Sequence, residues 1–252
     1  MGVEPVPDAP AAVVETGTGN GDSRLLVIGD YHAGIEAVLR TEGVEIDGAG
    51  DRRRERIVGL LADVEPDRLV VLGDLTHAIG EAWVAERAEL ATLFEAVEVP
   101  VTLVKGNHDG EIETTLDEFD ADISVTPAGG TRIGDVGFAH GHTWPNRGVL
   151  EAETVCTAHE HPVVRLEDEV GGGRRARVWL RGGLDPEPFR AVHGTVGGGG
   201  SLVVFPAFND RSGGTWVNVD DRDFLSPFLP EALVDGQAYL LDGTRLGRYE
   251  RV

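Results

Sequence analysis

The chain has 252 residues, with 22 lysines and arginines against 44 aspartates and glutamates, and its formal net charge at pH 7 is −22. This balance excludes the chain-wide basic surface that is typical of nucleic-acid-binding proteins, while a hydrophobic content of 41% argues against intrinsic disorder. The length suits one domain with a sizeable core, so we expect a single domain over residues 1–252, with residues 1–10 flexible.

Strands and helices alternate in the first part of the chain. Two apolar runs, 11–15 and 24–29, are joined by a glycine-rich stretch at 17–22 and predict a β-hairpin. Periodicity and caps then predict, in order, helices at 35–40 and 51–61, a buried strand at 68–72, a helix at 83–94 and a strand at 101–105. This order favours a parallel sheet with right-handed crossovers.

Beyond residue 123 the pattern changes to shorter strands separated by turns. The predicted strands lie at 123–126, 136–139, 154–157, 163–166, 178–181, 201–205, 237–241 and 248–252. We expect these strands to form a second, more β-rich sheet that packs on the first.

Seven of the eight histidines fall in five short clusters beside predicted strand ends. The clusters are Asp30-Tyr31-His32, Gly73-Asp74 with His77, Asn107-His108-Asp109, His140-Gly141-His142 and His159-Glu160-His161. Each cluster alone is weak evidence for a functional site, because turns and helix caps use the same residue types. The loops at the carboxyl ends of strands form the ligand crevice of open α/β sheets, so five such clusters together predict one functional site.

The chemistry of these side chains predicts a divalent metal site. Carboxylate and amide oxygens mixed with imidazoles, without a thiolate, favour Mn²⁺, Fe²⁺, Zn²⁺ or Co²⁺. The clusters offer more ligands than one tetrahedral ion takes. Two ions that clamp the attacking and leaving oxygens of a displacement account for this number.

The series of motifs resembles the calcineurin-like metallophosphoesterase superfamily. Two downstream segments, 205–209 (Phe-Pro-Ala-Phe-Asn) and 212–215 (Ser-Gly-Gly-Thr), are similar to the ICC-like branch, which includes the DNA-ligase-associated phosphoesterases. The resemblance runs from about residue 3 to the end of the chain. It implies an α/β fold, an αββα sandwich of two mixed β-sheets flanked by helices.

The resemblance also implies roles for single residues. Three would bind one ion: Asp30, His32 and His161. Three would bind the second ion, with Asp74 bridging the two: Asn107, His140 and His159. His108 would act as general acid or charge stabiliser at the leaving-group oxygen, with Asp109 orienting its ring, and a metal-bound hydroxide would attack phosphorus. Mn²⁺ is the favoured ion.

Several positions stay open at this point. His77 and His142 could support the ligands or contact the substrate phosphate. Residues 206–214 could support the metal loops, which we favour, or line the substrate cleft. Ala158 replaces the glycine usual in the last motif, which affects only the turn.

The scarcity of lysine among the basic residues indicates the kind of organism from which the protein comes. Lys105 is the only lysine, although lysine is normally common in proteins. An acidic surplus with so little lysine is typical of a salt-accumulating cytosol, where salt screens self-repulsion and net charge maintains solubility. We therefore expect an extreme halophile; the alternative is an ordinary acidic mesophilic protein.

The compartment follows from the cysteine count and from the apolar runs. The single cysteine, Cys156, fits a reducing interior and a place in the core. Residues 1–22 lack the basic and apolar regions of a signal peptide, and no apolar run approaches the roughly 20 residues of a membrane helix. We expect a cytoplasmic protein that does not contact membranes.

The sequence thus predicts a metal-dependent phosphoesterase that hydrolyses phosphodiester or phosphomonoester bonds. Its substrate would be a phosphoester, with nucleic acid or a nucleotide implied by the branch. Two arginine groups, 52–56 and 174–181, could contact such a substrate, although a solvated surface is favoured. The alternative is a non-catalytic metal-binding scaffold of the same fold, which the presence of His108 and of every matched ligand disfavours. No feature specifically favours a protein phosphatase.

Overall fold

Two mixed β-sheets pack face to face, and helices cover the outer face of each. The structure is a computed structural model that describes residues 2–17, 23–167, 172–197, 199–219 and 223–252. This architecture confirms the predicted αββα sandwich. Among the described residues, no helix has both the length and the apolar character needed to cross a bilayer.

The first sheet contains six strands in chain order, β1 to β6. They are Val3–Pro5, Ala11–Thr16, Ser23–Ile28, Arg68–Val71, Val101–Val104 and Ile123–Thr126. Strands β2 and β3 pair as the predicted hairpin, whose turn at 18–22 lies outside the described residues, and β3 to β6 run parallel. Val3 at the start of the chain is buried, because β1 pairs with β2. Four helices accompany this sheet: α1 (Ile35–Thr41), α2 (Gly50–Val64), α3 (Val84–Ala96) and α4 (Ile112–Leu116).

The second sheet contains the remaining eight strands. In chain order, β7 to β14 are Thr131–Ile133, Val136–Phe138, Thr154–Thr157, Val163–Glu167, Gly173–Leu184, Ser201–Val204, Leu233–Leu240 and Arg245–Arg248. The order across the sheet is β14-β13-β11-β12-β9-β8-β7, and β10 pairs with β11 off this path. The short strand β7 was not predicted, and the last residues form a 3₁₀ turn, Tyr249–Arg251, where a strand was expected.

The two-residue period of the strands divides the core into layers. Leu25 and Val27 of β3 face the second sheet, where Phe138 and Trp179 are buried. Leu26 and Ile28 of the same strand point the other way, onto the helices. Cys156 lies buried in the layer between the sheets, as predicted, and burial raises the pKa of its thiol.

Three parallel neighbours in each sheet position the functional loops. Strands β3, β4 and β5 run parallel, as do β8, β9 and β12. Because parallel strands end at the same edge of a sheet, the loops that follow them lie side by side.

A buried ion-pair network ties three helices to the loop after β3. Arg53 of α2 is only 4% exposed and donates two hydrogen bonds to Glu36 of α1 (2.5 and 2.9 Å) and two to Glu89 of α3 (2.9 and 2.8 Å). Glu89 also accepts a 2.9 Å hydrogen bond from the main-chain N–H of Gly34. The guanidinium lies 5.7 Å from the ring centre of Tyr31. Arg53 is therefore a structural residue and not part of a solvated basic surface.

We predict that Arg53→Met destabilises the fold by about 3–5 kcal/mol, because it leaves the largely buried Glu89 without its paired cation and the buried Glu36 with Arg211 alone, at 2.8 Å. Arg53 keeps the pKa of Glu36 below its ordinary value of 4.5, although burial alone would raise it. The pair therefore stabilises the protein above that pH, and its contribution is lost as the pH falls through the lower folded-state pKa of Glu36. Denaturant unfolding at a series of pH values measures both effects.

Arg54→Met is the matched control, because Arg54 pairs at 3.1 Å with Asp51, which is 85% exposed. Such a surface pair contributes less than about 1 kcal/mol. Equal losses for the two variants, or a loss at Arg53 that does not shrink in acid, would contradict the assigned role.

Candidate metal centre

The structure brings the side chains of all five clusters to one place. Asp30 and His32 follow β3, Asp74 follows β4, and Asn107 and His108 come shortly after β5. From the second sheet, His140 comes shortly after β8, and His159 and His161 come shortly after β9. Both sheets therefore contribute to the site.

One group of ligand atoms comprises Asp30, His32 and His161, whose nitrogen and oxygen atoms lie within 4.8 Å of one another. His161 Nε2 is 3.1 Å from Asp30 Oδ1 and 3.4 Å from His32 Nε2. Asp30 and His32 are buried. This spacing lets the three side chains share one cation.

A second group comprises Asp74, His140 and His159, again within 4.8 Å of one another. His140 Nε2 lies 3.4 Å from Asp74 Oδ2 and 3.2 Å from Asn107 Oδ1, which places the amide beside this group. Asp74 Oδ2 is also 3.8 Å from His32 Nε2. The Asp74 carboxylate therefore lies between the two groups.

The backbone of these loops adopts a conformation that non-glycine residues rarely use. Five ligand candidates have positive φ: Asp30 (57°), His32 (49°), Asp74 (50°), His159 (68°) and His161 (45°). A left-handed residue of this kind costs of order 1–3 kcal/mol and persists only where its surroundings fix it. The loops are therefore held by other contacts.

The charge state of the site suits a cation. Burial alone would raise the pKa of Asp30 and Asp74, but neighbouring histidines keep both values below the ordinary range. Burial lowers the pKa of His32 to about 3 and that of His159 to about 4. Ionised carboxylates and neutral imidazoles are the forms that bind metal ions.

Two ligand candidates, His140 and His161, depart from this pattern. Burial lowers the pKa of His161, but Asp30 outweighs burial and raises it above its ordinary value. Burial also lowers the pKa of His140, but Asp74 and Asp30 outweigh burial and raise the value to about 9. The Nδ1–H of His140 donates a 2.7 Å hydrogen bond to the carbonyl of Leu72, which directs Nε2 toward Asp74. A divalent cation bound at Nε2 would take the place of the proton.

Two further histidines adjoin the first group. His77 Nδ1 lies 3.2 Å from His32 Nδ1, and His108 Nδ1–H donates to the main-chain carbonyl of His77. His108 Nε2 is 3.8 Å from Asp74 Oδ2. His32, His77 and His108 form a third set of ligand atoms within 4.8 Å. His77 therefore contacts a ligand directly.

His142 lies behind the second group. Its ring centre is 5.3 Å from that of His140 and 6.0 Å from that of His159. Its Nδ1 is buried and has no hydrogen-bond partner among the described residues.

The predicted contact between Asp109 and the His108 ring is wrong. The buried Asp109 carboxylate instead accepts main-chain hydrogen bonds from Leu75 (2.9 Å), Thr76 (3.3 Å) and Gly106 (2.9 Å). It joins the loops after β4 and β5, while the carbonyl of His77 orients the His108 ring. Burial raises the pKa of Asp109 to about 6.

Residues 206–214 support the loop after β3. The Asn209 amide donates to the carbonyls of Tyr31 (3.0 Å) and His32 (3.2 Å), and its main-chain N–H donates to Asp30 (3.1 Å). Arg177 donates a 2.8 Å hydrogen bond to the carbonyl of Ala207 and thereby holds the segment. The segment therefore supports a ligand loop, as favoured from the sequence. Residues 212–215 also line the cleft, so the second alternative holds as well.

Glu160 is a supporting residue to which the sequence assigned no role. It is fully buried between two ligand candidates and accepts hydrogen bonds from Ser226 N–H (2.6 Å), Leu225 N–H (3.1 Å) and Thr215 Oγ1 (3.0 Å). The sequence feature that could have identified Glu160 is its position as an acidic residue between two histidines in a predicted crevice loop.

A cleft of about 370 Å³ opens onto these groups. Its lining combines histidines and Asp74 with residues 212–215 and Leu225. The site therefore combines a set of cation ligands with an adjoining space for a substrate.

The chain is similar to known proteins in sequence and in fold. The family model of calcineurin-like phosphoesterases matches residues 23–196. The structure of the Pseudomonas putida nuclease MPE aligns over 97% of this chain and 100% of its own, with a TM-score of 0.54 and 18% identity. Yfce, a phosphoesterase from E. coli, aligns over 57% of this chain and 73% of its own, with a TM-score of 0.34 and 19% identity. No curated protein matches the sequence significantly.

We predict that Asn209→Ala weakens Mn²⁺ binding by about 10–100-fold, because partners that position metal ligands contribute on this scale. Isothermal titration with Mn²⁺ measures the affinity directly and needs no substrate. Asn218→Ala is the matched control, because the Asn218 amide also bonds main-chain carbonyls, those of Arg165 and Val252, away from the cleft. Equal affinities for the two variants would show that Asn209 does not position the ligands.

Proposed function

Because the chain belongs to the calcineurin-like phosphoesterase family, we propose that it hydrolyses phosphodiester or phosphomonoester bonds at a dinuclear metal centre. The observation that carries this proposal is the position of Asp74, whose carboxylate lies 3.4 Å from His140 in the second ligand group and 3.8 Å from His32 in the first. A carboxylate has two oxygens, so one side chain can serve two cations.

The residues present fit two divalent ions. Asp30, His32 and His161 would hold one ion, Asn107, His140 and His159 the other, and Asp74 both. Mixed oxygen and imidazole ligands suit Mn²⁺, with Fe, Zn or Co as the other candidates. Such ions would polarise phosphoryl oxygens and would lower the pKa of a bound water toward about 7.

His108 would assist the departing oxygen. Its Nδ1–H donates to the carbonyl of His77, which fixes the ring and leaves Nε2 on the side of Asp74. In the protonated ring Nε2 also carries a proton and can donate it to the leaving group.

His77 would present an N–H hydrogen-bond donor to the substrate. If His32 binds a cation through Nε2, its Nδ1 carries the proton and donates to His77 Nδ1 at 3.2 Å. His77 then carries its own proton on Nε2. Since His77 lines the cleft, this N–H is available to a phosphate oxygen.

We further propose that residues 1–252 form one catalytic domain. The family match ends at residue 196, but β12 and β13 pair with β11 inside the second sheet. Asn209 also bonds the loop that carries Asp30 and His32. The part of the chain beyond the match therefore contributes to the site.

We propose a nucleic acid or nucleotide as the substrate and the cytoplasm of a salt-accumulating cell as the setting. A nuclease of similar fold supports the first point only by analogy. The net charge of −22 with a single lysine supports the second. An anionic substrate must approach an anionic protein, so activity should depend on both bound cations and high salt.

The test is an activity panel in molar KCl with Mn²⁺, using bis-p-nitrophenyl phosphate, p-nitrophenyl phosphate, cyclic nucleotides and DNA. We expect diesterase activity that EDTA abolishes and that His108→Ala lowers by about 10²–10⁴-fold, the usual size of a general acid–base contribution. His193→Ala is the matched control, because His193 lies on the short helix Arg190–His193, outside the five clusters.

Several outcomes would count against the proposal. A metal-loaded protein that hydrolyses nothing in the panel would favour the scaffold alternative. Full activity in His108→Ala would refute the role of that ring, and activity that rises as salt is removed would contradict the halophilic setting.

A further inference from the structure

Three exposed apolar side chains lie on the segment that follows His77. Ile79, Trp83 and Val84 are 79%, 42% and 85% exposed, and we refer to them as the apolar platform. We propose that the apolar platform binds a nucleobase of a single-stranded polynucleotide whose scissile phosphate lies at the two ligand groups. This inference rests on the proposed phosphoesterase function and specifies the substrate class of the same site.

A single buried carboxylate ties the main chain of the platform segment to His77, a residue of the cleft. Glu86 is fully buried; its Oε1 accepts hydrogen bonds from the main-chain N–H groups of His77 (2.8 Å) and Ala78 (2.6 Å), and its Oε2 accepts one from Trp83 (2.6 Å). Through these bonds the Glu86 side chain joins the two ends of the loop formed by residues 77–83. The main chain of Trp83 therefore lies next to that of His77, which lines the cleft.

The arginines that could have bound a phosphate backbone are engaged elsewhere. Arg53 is buried between two glutamates, and Arg56 donates a 2.7 Å hydrogen bond to the carbonyl of Asp8. Arg175, Arg177 and Arg181 also donate to main-chain carbonyls. Arg52 and Arg54 pair with Asp210 (3.4 Å) and Asp51 (3.1 Å). Seven of the eight arginines in the two predicted groups therefore already have a partner, which weakens both groups as surfaces for counterion release, the usual source of nucleic-acid affinity.

Stacking of a base on an aromatic side chain is the interaction that remains to bind the nucleotides on either side of the scissile phosphate. An aromatic face binds a base through contacts that depend little on sequence. Such contacts suit a protein with a net charge of −22, because they need no basic surface. They also persist in molar salt, where the gain from counterion release shrinks.

The size of the platform argues for a base and not for a protein partner. A stable protein interface buries about 800 Å² on each side, far more than three side chains supply. The cleft carries an exposed apolar side chain of its own, Leu225, which is 60% exposed. A duplex hides the faces of its bases, so only a single strand can place one on Trp83.

The experiment compares Trp83→Ala with wild type in molar KCl and Mn²⁺ on two substrates of equal length: oligothymidylate and a strand of abasic tetrahydrofuran residues. Both carry the same phosphates, but only the first has bases. We expect Trp83→Ala to raise KM for oligothymidylate by about 5–100-fold, the size of one lost stacking contact. KM for the abasic strand should not change.

Two further variants separate stacking from structural damage. Trp83→Tyr keeps an aromatic face and should restore most of the affinity for oligothymidylate. Val192→Ala removes another half-exposed apolar side chain, on the short helix Arg190–His193, and should leave KM unchanged. Hydrolysis of bis-p-nitrophenyl phosphate in every variant reports separately on the proposed phosphoesterase function.

An unchanged KM for oligothymidylate in Trp83→Ala would overturn the platform while leaving the phosphoesterase intact. If the wild type hydrolyses no substrate, quenching of tryptophan fluorescence by oligothymidylate in EDTA decides the question. The chain has four tryptophans, and quenching that is lost in Trp83→Phe supports the platform. Equal quenching in both proteins, or none in the wild type, overturns it.

Discussion

The burial of two carboxylates is the constraint on which the rest of the structure depends. Asp30 is fully buried and Asp74 is 2% exposed, and their charges face imidazoles from both sheets. A buried charge is costly unless it is paired or binds a cation. Holding these groups together requires loops in a left-handed conformation, which cost further energy. The sandwich meets this cost through contacts outside the ligand set, and the result is a metal site of a phosphoesterase family.

Those contacts share one chemical feature, because each joins a buried polar side chain to a main-chain group of a neighbouring loop. Glu89 binds Gly34, Asn209 binds Tyr31 and His32, and Glu86 binds His77. Asp109 and Glu160 do the same for the loops after β4 and β9. A main-chain hydrogen bond fixes a loop whatever its side chains are, so the ligands remain free to face the cation. The same network reaches the proposed base-binding platform through Glu86.

The sequence was sufficient for the layers and for the cluster of ligand candidates. Short apolar runs predicted the strands, and Asp30, Asp74 and Asn107 could be placed at one sheet edge because each follows a strand. The contact of Asp109 could not be predicted, since it depends on which N–H groups of residues 75 and 76 are unpaired. Arg53 and Arg177 look like solvated charges in sequence, but their partners are distant along the chain. Asn209 was visible only as part of a motif without a role.

The central claim is that Asp74 bridges two cations, and diffraction from crystals grown with Mn²⁺ tests it most directly. Anomalous scattering locates the ions without any assumption about the substrate. We predict two peaks, one against Asp30, His32 and His161 and the other against Asn107, His140 and His159, with an oxygen of Asp74 coordinating each ion. A single peak, or a peak coordinated by His32, His77 and His108 alone, would contradict the account.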